Sequence, residues 1–259
     1  MNQIVRPDAF RLRGDAPRAT IEEERLHRKR RLAASYRIFA QKGYDLGLAG
    51  HITVRDPEFE DRFWVGPIGP WFGHIRVSDL VLVDHDGNIL AGRGPINQAG
   101  FMIHSEIHKA RPDVISAAHS HSIYGKAWSA LGRLLDPISQ DACFFYENHV
   151  LFETFGGIVL DTSEGERIAA ALGDKRAAIL QNHGILTVGQ SVEGAVASYV
   201  AMENACQTQL LAEAAGTVKP ISHDVARFTA NQMQGADPGA FGFRPLYERI
   251  VREQPDLLE

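Results

Sequence analysis

Apolar side chains recur at helical spacing in some stretches of the chain and as short unbroken blocks in others, a pattern that predicts helices interleaved with strands. Thr20-Ile21-Glu22-Glu23 has the form of a capping box and opens a helix with Leu32, Tyr36 and Phe39 on one side, stopping at Gly43. Gly47-Leu48-Ala49-Gly50 is a glycine-bracketed turn that feeds a strand over His51-Ile52-Thr53-Val54-Arg55. Phe63-Trp64-Val65 reads as a second strand, and Val81–Asp84 with Ile89-Leu90 reads as a hairpin across Asp86-Gly87. Asn97 caps a helix that ends near Arg111-Pro112, and the apolar run Val114–Ala118 then reads as a buried strand. Further helices are expected over Ile123–Leu131, from the capping box Ser163-Glu164-Gly165-Glu166 to Gly173, and from Ser191 to about Gly216. Ile158-Val159-Leu160 and Ala177–Leu180 are the remaining strands expected, Pro137–His149 reads as irregular, and Leu246–Arg252 as a short helix.

This order predicts one α/β domain over residues 20–218, with an N-terminal arm over 1–19 and a C-terminal extension over 219–259. The expected architecture is a central sheet, mainly antiparallel or mixed, flanked by helices. At 259 residues, 44% hydrophobic and 23% charged, the chain has the composition of a globular protein with a sizeable core. A net charge of -5 gives no electrostatic reason to expect nucleic acid or an anionic membrane as a partner. With only Cys143 and Cys206, neither a disulfide framework nor a cysteine-ligated zinc is expected. No run approaches the roughly 20 apolar residues of a membrane span, and no hydrophobic region follows Arg6, Arg11 and Arg13. The expectation is a cytoplasmic protein.

Chemistry concentrates at Ala117-Ala118-His119-Ser120-His121. Two histidines one residue apart on an extended segment point to the same side, the geometry of a two-histidine metal clamp. A third, His183, ends the block Ala177–Leu180 at a glycine turn. Three imidazoles with coordination positions left open describe a catalytic divalent-metal site; the same spacing also fits three unrelated histidines, each satisfied by a backbone carbonyl. His104 and His108 share a helix face at i, i+4 and read as packing or supporting groups. The basic cluster Arg28-Lys29-Arg30-Arg31, after Glu22, Glu23 and Glu24, reads as a salt-bridged face. Arg55 is expected to pair with a surface carboxylate.

The succession Gly47-x-x-Gly50-His51-x-Thr53-Val54-Arg55, Ala110-Arg111-Pro112-Asp113-Val114, Ala118-His119-Ser120-His121 and Leu180-Gln181-Asn182-His183-Gly184 resembles the class II aldolase/adducin family over roughly residues 30–215. The resemblance implies an α/β/α sandwich and one divalent metal per subunit held by His119, His121 and His183. Zinc is the first choice, with iron, manganese, nickel and cobalt also compatible. It further implies a small-molecule substrate and a homo-oligomer, a tetramer with active sites at subunit interfaces, an expectation to which Phe144-Phe145-Tyr146 also contributes. Sugar-phosphate aldolases of the family carry a proton-transferring glutamate after two phosphate-binding serines. Counted back from His104, this chain has Gly100 at the glutamate position, with Gln98 and Ala99 at the serines.

A standard sugar-phosphate aldolase is therefore not expected. Asn97-Gln98-Ala99-Gly100 resembles the adducin-like branch, with its bacterial decarboxylase-like and oxygenase-like members. The implied function is a metal-dependent lyase cleaving a C–C bond, by decarboxylation or retro-aldol reaction, in a small oxygenated acid, an aromatic one included, through a metal-stabilised enediolate. The alternatives are a non-haem Fe(II) oxygenase at the same histidines and a non-catalytic adducin-like scaffold for actin assembly. Proton carriers are sought among His51, His104, Glu106, Tyr146, Glu147 and His149, with His51 and then His149 foremost. Gly50, His51, Gln98 and Gln140 are the substrate-binding candidates.

Overall fold

The structure is a computed structural model that describes residues 18–158, 162–234 and 242–259. Helix α1 (Ile21–Gln41) starts at the expected capping box, with Thr20 Oγ1 accepting from the Glu23 amide and the Glu23 carboxylate accepting from the Thr20 amide. Eight strands follow in one sheet: β1 (His51–Arg55), β2 (Arg62–Val65), β3 (Val81–Asp84), β4 (Ile89–Ala91), β5 (Ser116–Ser120), β6 (His149–Phe152), β7 (Ala177–Leu180) and β8 (Gly184–Gly189). Their spatial order is β4-β3-β2-β1-β5-β8-β7-β6, and only the β6–β7 pair is parallel. The mainly antiparallel, mixed sheet expected from the sequence is what forms.

Helices α2 (Gln98–Ala110), α3 (Ile123–Ser129), α4 (Thr162–Leu172), α5 (Val192–Ala215), α6 (His223–Gln234) and α7 (Arg244–Glu253) complete the fold. Alternation along the strands sorts the sheet into two cores. Ile52, Val54 and Ala118 join Leu32, Tyr36, Phe39, Val196 and Tyr199 on the α1 and α5 side. Ala117, Ala178 and Leu186 join Ile103, Ile107, Ile168 and Leu172 on the α2 and α4 side. The result is an α/β/α sandwich. Phe243, Ile250 and Leu257 are buried in the α1 and α5 core, so the C-terminal segment packs on the sheet domain itself. Among the described residues no helix is long and apolar enough to cross a membrane.

Several expectations change. Strands β6 and β8 and helix α6 are additional to those expected, and His149 opens β6 rather than closing an irregular loop. Ser163 lies inside α4, which begins at Thr162. The expected strand at Ile158–Leu160 does not begin at Ile158, which is in a bend and exposed, and Val159 and Leu160 lie outside the described residues, as does most of the arm. Among the described residues Arg55 pairs with no surface carboxylate: it is buried and donates to the carbonyls of Val114, His108, Arg111 and Glu60, tying β1 to the end of α2. A buried guanidinium has five donors to satisfy, and the frayed carbonyls of a helix C-terminus are suitable acceptors. The basic cluster forms ion pairs, Arg28 on Glu24 and Arg31 on Glu193, but it is not a freely solvated face: Lys29 is half-buried over the Trp64 ring. Of the segment Phe144-Phe145-Tyr146, Phe144 and Phe145 are buried in this chain's own core, while Tyr146 is half-buried.

Candidate functional site

The site is built where β1, β5 and the β7–β8 turn meet on the α2 side of the sheet. His51 on β1 lies directly opposite His119 on β5 in the antiparallel register, so both rings share a face. His121 follows β5 immediately. His183 sits in the tight β7–β8 turn, where Leu180 pairs with Gly184 and Asn182 takes φ +59°. Asparagine tolerates that left-handed conformation better than most residues. The backbone can pass here because residue 50 is glycine: φ is +106°, and a Cβ would stand 2.9 Å from Ser120 Cβ.

These elements bring His119, His121 and His183 together, with one ligand atom from each lying within 4.8 Å of the others. Their ring centroids are 4.7–5.2 Å apart. Nδ1–H of His119 donates to the Ile185 carbonyl at 2.9 Å, which leaves the Nε2 lone pair free to point into the cluster. Burial, then the neighbouring rings, holds His119 well below the ordinary imidazole value, and burial pushes His183 down to about 4. Burial, with Lys126 nearby, also lowers His121. Neutral imidazoles with converging lone pairs are the donor set a divalent transition metal takes, so the residues present fit such an ion.

Behind the three rings stands a fourth. His51 is buried, lies 5.2 Å from His119 and 4.1 Å from His104 between ring centroids, and has no hydrogen-bond partner on either nitrogen among the described residues. Burial comes first, then His104, in holding it well below the usual value. Gly100 makes this placement possible: a Cβ there would lie 2.3 Å from His51 Nδ1. His51 also lines a small cleft shared with Gly50, Asn97, Leu48, Ile68 and Phe72, among others, and among the described residues no charged side chain lines it.

The other candidates lie elsewhere in this chain. His149 has both nitrogens engaged, Nδ1–H donating to the Phe145 carbonyl and Nε2 accepting from the Leu135 amide, three strands from β5 in the sheet. Glu147 pairs with Arg227, and Tyr146 hydrogen-bonds His223, both near α6. Gln98 and Gln140 are exposed. Glu106 pairs with Lys109. The support that sequence reading missed is on α5: buried Glu203 accepts from Ser122 Oγ and from the amides of Tyr124 and Gly125, while Tyr199 Oη bonds Ser120 and Ser122. Both residues brace the segment that carries His121. Their polar side chains at buried helix positions were the available signal.

Known proteins are similar to this chain along most of its length. The "Decarboxylase NovR" of Streptomyces niveus is 42% identical over 240 residues, covering 92% of this chain and 89% of NovR. The "4-hydroxy-3-prenylphenylpyruvate oxygenase/4-hydroxy-3-prenylbenzoate synthase" of Streptomyces roseochromogenus subsp. oscitans is also 42% identical over 240 residues, 92% of this chain and 87% of that protein. The solved structure described as L-fuculose 1-phosphate aldolase from Glaciozyma antarctica PI12 is 45% identical and covers 95% of this chain and 97% of its own, with a TM-score of 0.87. Residues 30–210 match the family model described as Class II Aldolase and Adducin N-terminal domain, and the chain belongs to that family.

Proposed function

We propose that the protein is a divalent-metal-dependent lyase that cleaves a C–C bond in a small oxygenated aromatic acid, with zinc held by His119, His121 and His183. The observation that carries this reading is the convergence of three neutral imidazoles beside an unpartnered fourth, His51. An ion bound there supplies a Lewis acid, drawing electron density from adjacent substrate oxygens so that the electron pair left by bond cleavage is stabilised. The chain's own groups do the rest. His51 faces the cleft as a neutral base and exchanges a proton with the reacting carbon or its oxygen. Gly50 and Asn97 shape the polar rim. Leu48, Ile68 and Phe72 offer apolar surface for an aromatic ring, and the uncharged lining among the described residues favours that ring over a phosphate dianion. One Streptomyces relative is named for oxygenated aromatic acids and the other as a decarboxylase, and both names are consistent with this choice.

The second reading, Fe(II)-dependent oxygenation at the same histidines, is favoured by the name of one relative. One experiment separates them. Protein loaded with zinc or, anaerobically, with Fe(II) is assayed on an aryl aldol adduct of pyruvate, following aryl aldehyde release and oxygen uptake together. The expected result is one zinc per chain and oxygen-independent cleavage. His119→Ala, His121→Ala and His183→Ala should each lose bound zinc and at least roughly a hundredfold in turnover. Oxygen uptake matched to product with iron alone would replace the lyase by the oxygenase, and failure of wild-type protein to bind metal would defeat both.

A further inference from the structure

Helix α3 spans two of the ligand-bearing segments. His121 comes before it, with only Ser122 between, and at its far end the Asn182 amide of the β7–β8 turn donates to the Ser129 carbonyl at 3.2 Å. Lys126 lies midway, its amide donating to the Ser122 carbonyl at 2.9 Å. Residues 122, 126 and 129 run along one side of a helix, so Lys126 stands at the edge of the face on which Ser122 and Ser129 are buried. Helical side chains tilt toward the N-terminus of their helix, and the Lys126 stem therefore leans back toward His121. Lys126 is half-buried, and among the described residues its ammonium forms no ion pair and no hydrogen bond.

The charge balance around the three histidines gives that ammonium a use. Neutral imidazoles bring no charge, so a divalent ion among them keeps both of its own, and Lys126 adds another. Nearby carboxylates are already engaged: Glu106 pairs with Lys109, and Glu203 is filled by the Ser122 hydroxyl and the amides of Tyr124 and Gly125. Burial, neighbouring rings and, at His121, the Lys126 charge lower the three ligands, and no carboxylate is among the causes. An excess of positive charge with no anion of the protein to meet it is a place for an anion of the substrate.

We propose that Lys126 anchors the carboxylate of the substrate acid and so sets its orientation across the three histidines. The inference rests on the reading of these residues as the metal site of an enzyme acting on an oxygenated acid, and it names the group that recognises the acid. His51 approaches the cluster at His119, with the uncharged cleft beside it, whereas Lys126 approaches at His121. The aromatic end of the substrate takes the cleft and its carboxylate takes the ammonium, which leaves the oxygenated carbons between them over the ion. A neutral ester or amide of the same acid lacks the charge that Lys126 pairs with.

The test uses the zinc-loaded full chain and two probes that differ in charge, pyruvate and methyl pyruvate, titrated calorimetrically into wild type, Lys126→Met and Lys126→Arg. Methionine keeps an unbranched apolar stem, so the change removes charge more than packing. The expected result is one zinc per chain in all three proteins and tighter binding of pyruvate than of its ester in wild type. Lys126→Met should weaken pyruvate roughly tenfold and leave the ester as it was, and Lys126→Arg should restore most of the loss. Sodium chloride should weaken pyruvate more steeply in wild type than in Lys126→Met. Pyruvate binding unchanged in Lys126→Met would show that the ion alone holds the carboxylate, and would overturn the inference. Equal weakening of both probes, or loss of zinc from the variant, would overturn it by showing a packing role. Wild type that holds zinc but prefers the ester defeats this inference alone, whereas wild type that holds no zinc defeats the proposed function and this inference with it.

Discussion

Gly100 and His51 occupy one another's space, and neither can be understood alone. With a Cβ built at residue 100 only 2.3 Å from His51 Nδ1, Gly100→Ala must push the imidazole out of its place. Overpacking of this kind costs about 1–3 kcal/mol. His51→Ala opens a cavity that the new methyl can partly fill. The double variant should therefore be more stable than the sum of the single changes, by about 0.5–3 kcal/mol of coupling. Thermal or urea unfolding of the four proteins measures it, and strict additivity would show that the ring moves aside freely. The pair also marks the limit of sequence reading at this scale. His119, His121 and His183 stood out because two lie one residue apart in a strand pattern and the third ends another apolar block at a glycine turn. The dependence of His51 on Gly100 joins β1 to α2 across 49 positions, and no local pattern reports it. Arg55 was misread for a similar reason: its acceptors are carbonyls at the end of a helix that the sequence does not bring near.

Among elements, most helices and the hairpin announced themselves through caps, periodicity and turn residues, whereas β6, β8 and α6 did not. Strand β8 is buried along almost all of its length, so it lacks the period-two signal of a half-exposed strand. It also follows β7 after a turn of three residues, so that Ala177–Val188 reads as one broken block rather than two strands. The consequence is functional, since that turn carries His183. The element beside His121, the proposed ligand across from it, is α3, whose first amides and Ser122 are held by Glu203 from α5. Glu203→Ala should leave these buried donors unsatisfied, at a cost of about 2–4 kcal/mol in unfolding free energy. Zinc affinity should fall with it, because the segment bearing His121 loses its brace, while Glu203→Gln, keeping one acceptor oxygen, should lie between. Calorimetric titration with zinc checks this directly. Undiminished affinity in Glu203→Ala would mean that Tyr199 positions the segment unaided.

At the scale of the whole molecule, the sandwich seals several imidazoles between the sheet and its helices, and stability should report their burial. His108 is pushed down to about 3 by burial and then by the Arg55 guanidinium, against an ordinary value of 6.5. His104 and His149 are lowered in the same direction, burial again the largest cause. Between the unfolded and folded values the unfolded chain binds a proton that the native ring refuses. Stability therefore rises with pH in that window; for His108 it declines as pH falls from about 6.5 toward 3, at about 1.4 kcal/mol per pH unit, and the other lowered rings add the same sign. The paired carboxylates Asp56 and Asp113, whose values are also depressed, add the same sign only at the acid end of the window. Urea unfolding of metal-free protein between pH 7.5 and 5 isolates the histidine contribution from any linkage to a bound ion. His108→Phe keeps an aromatic ring against Phe63 but has nothing to titrate, so its unfolding free energy should vary less steeply with pH, by about one proton's worth. A slope equal to that of wild type would show that His108 takes up a proton while the protein is still folded, and that water or a shift of α2 reaches it without unfolding the sheet.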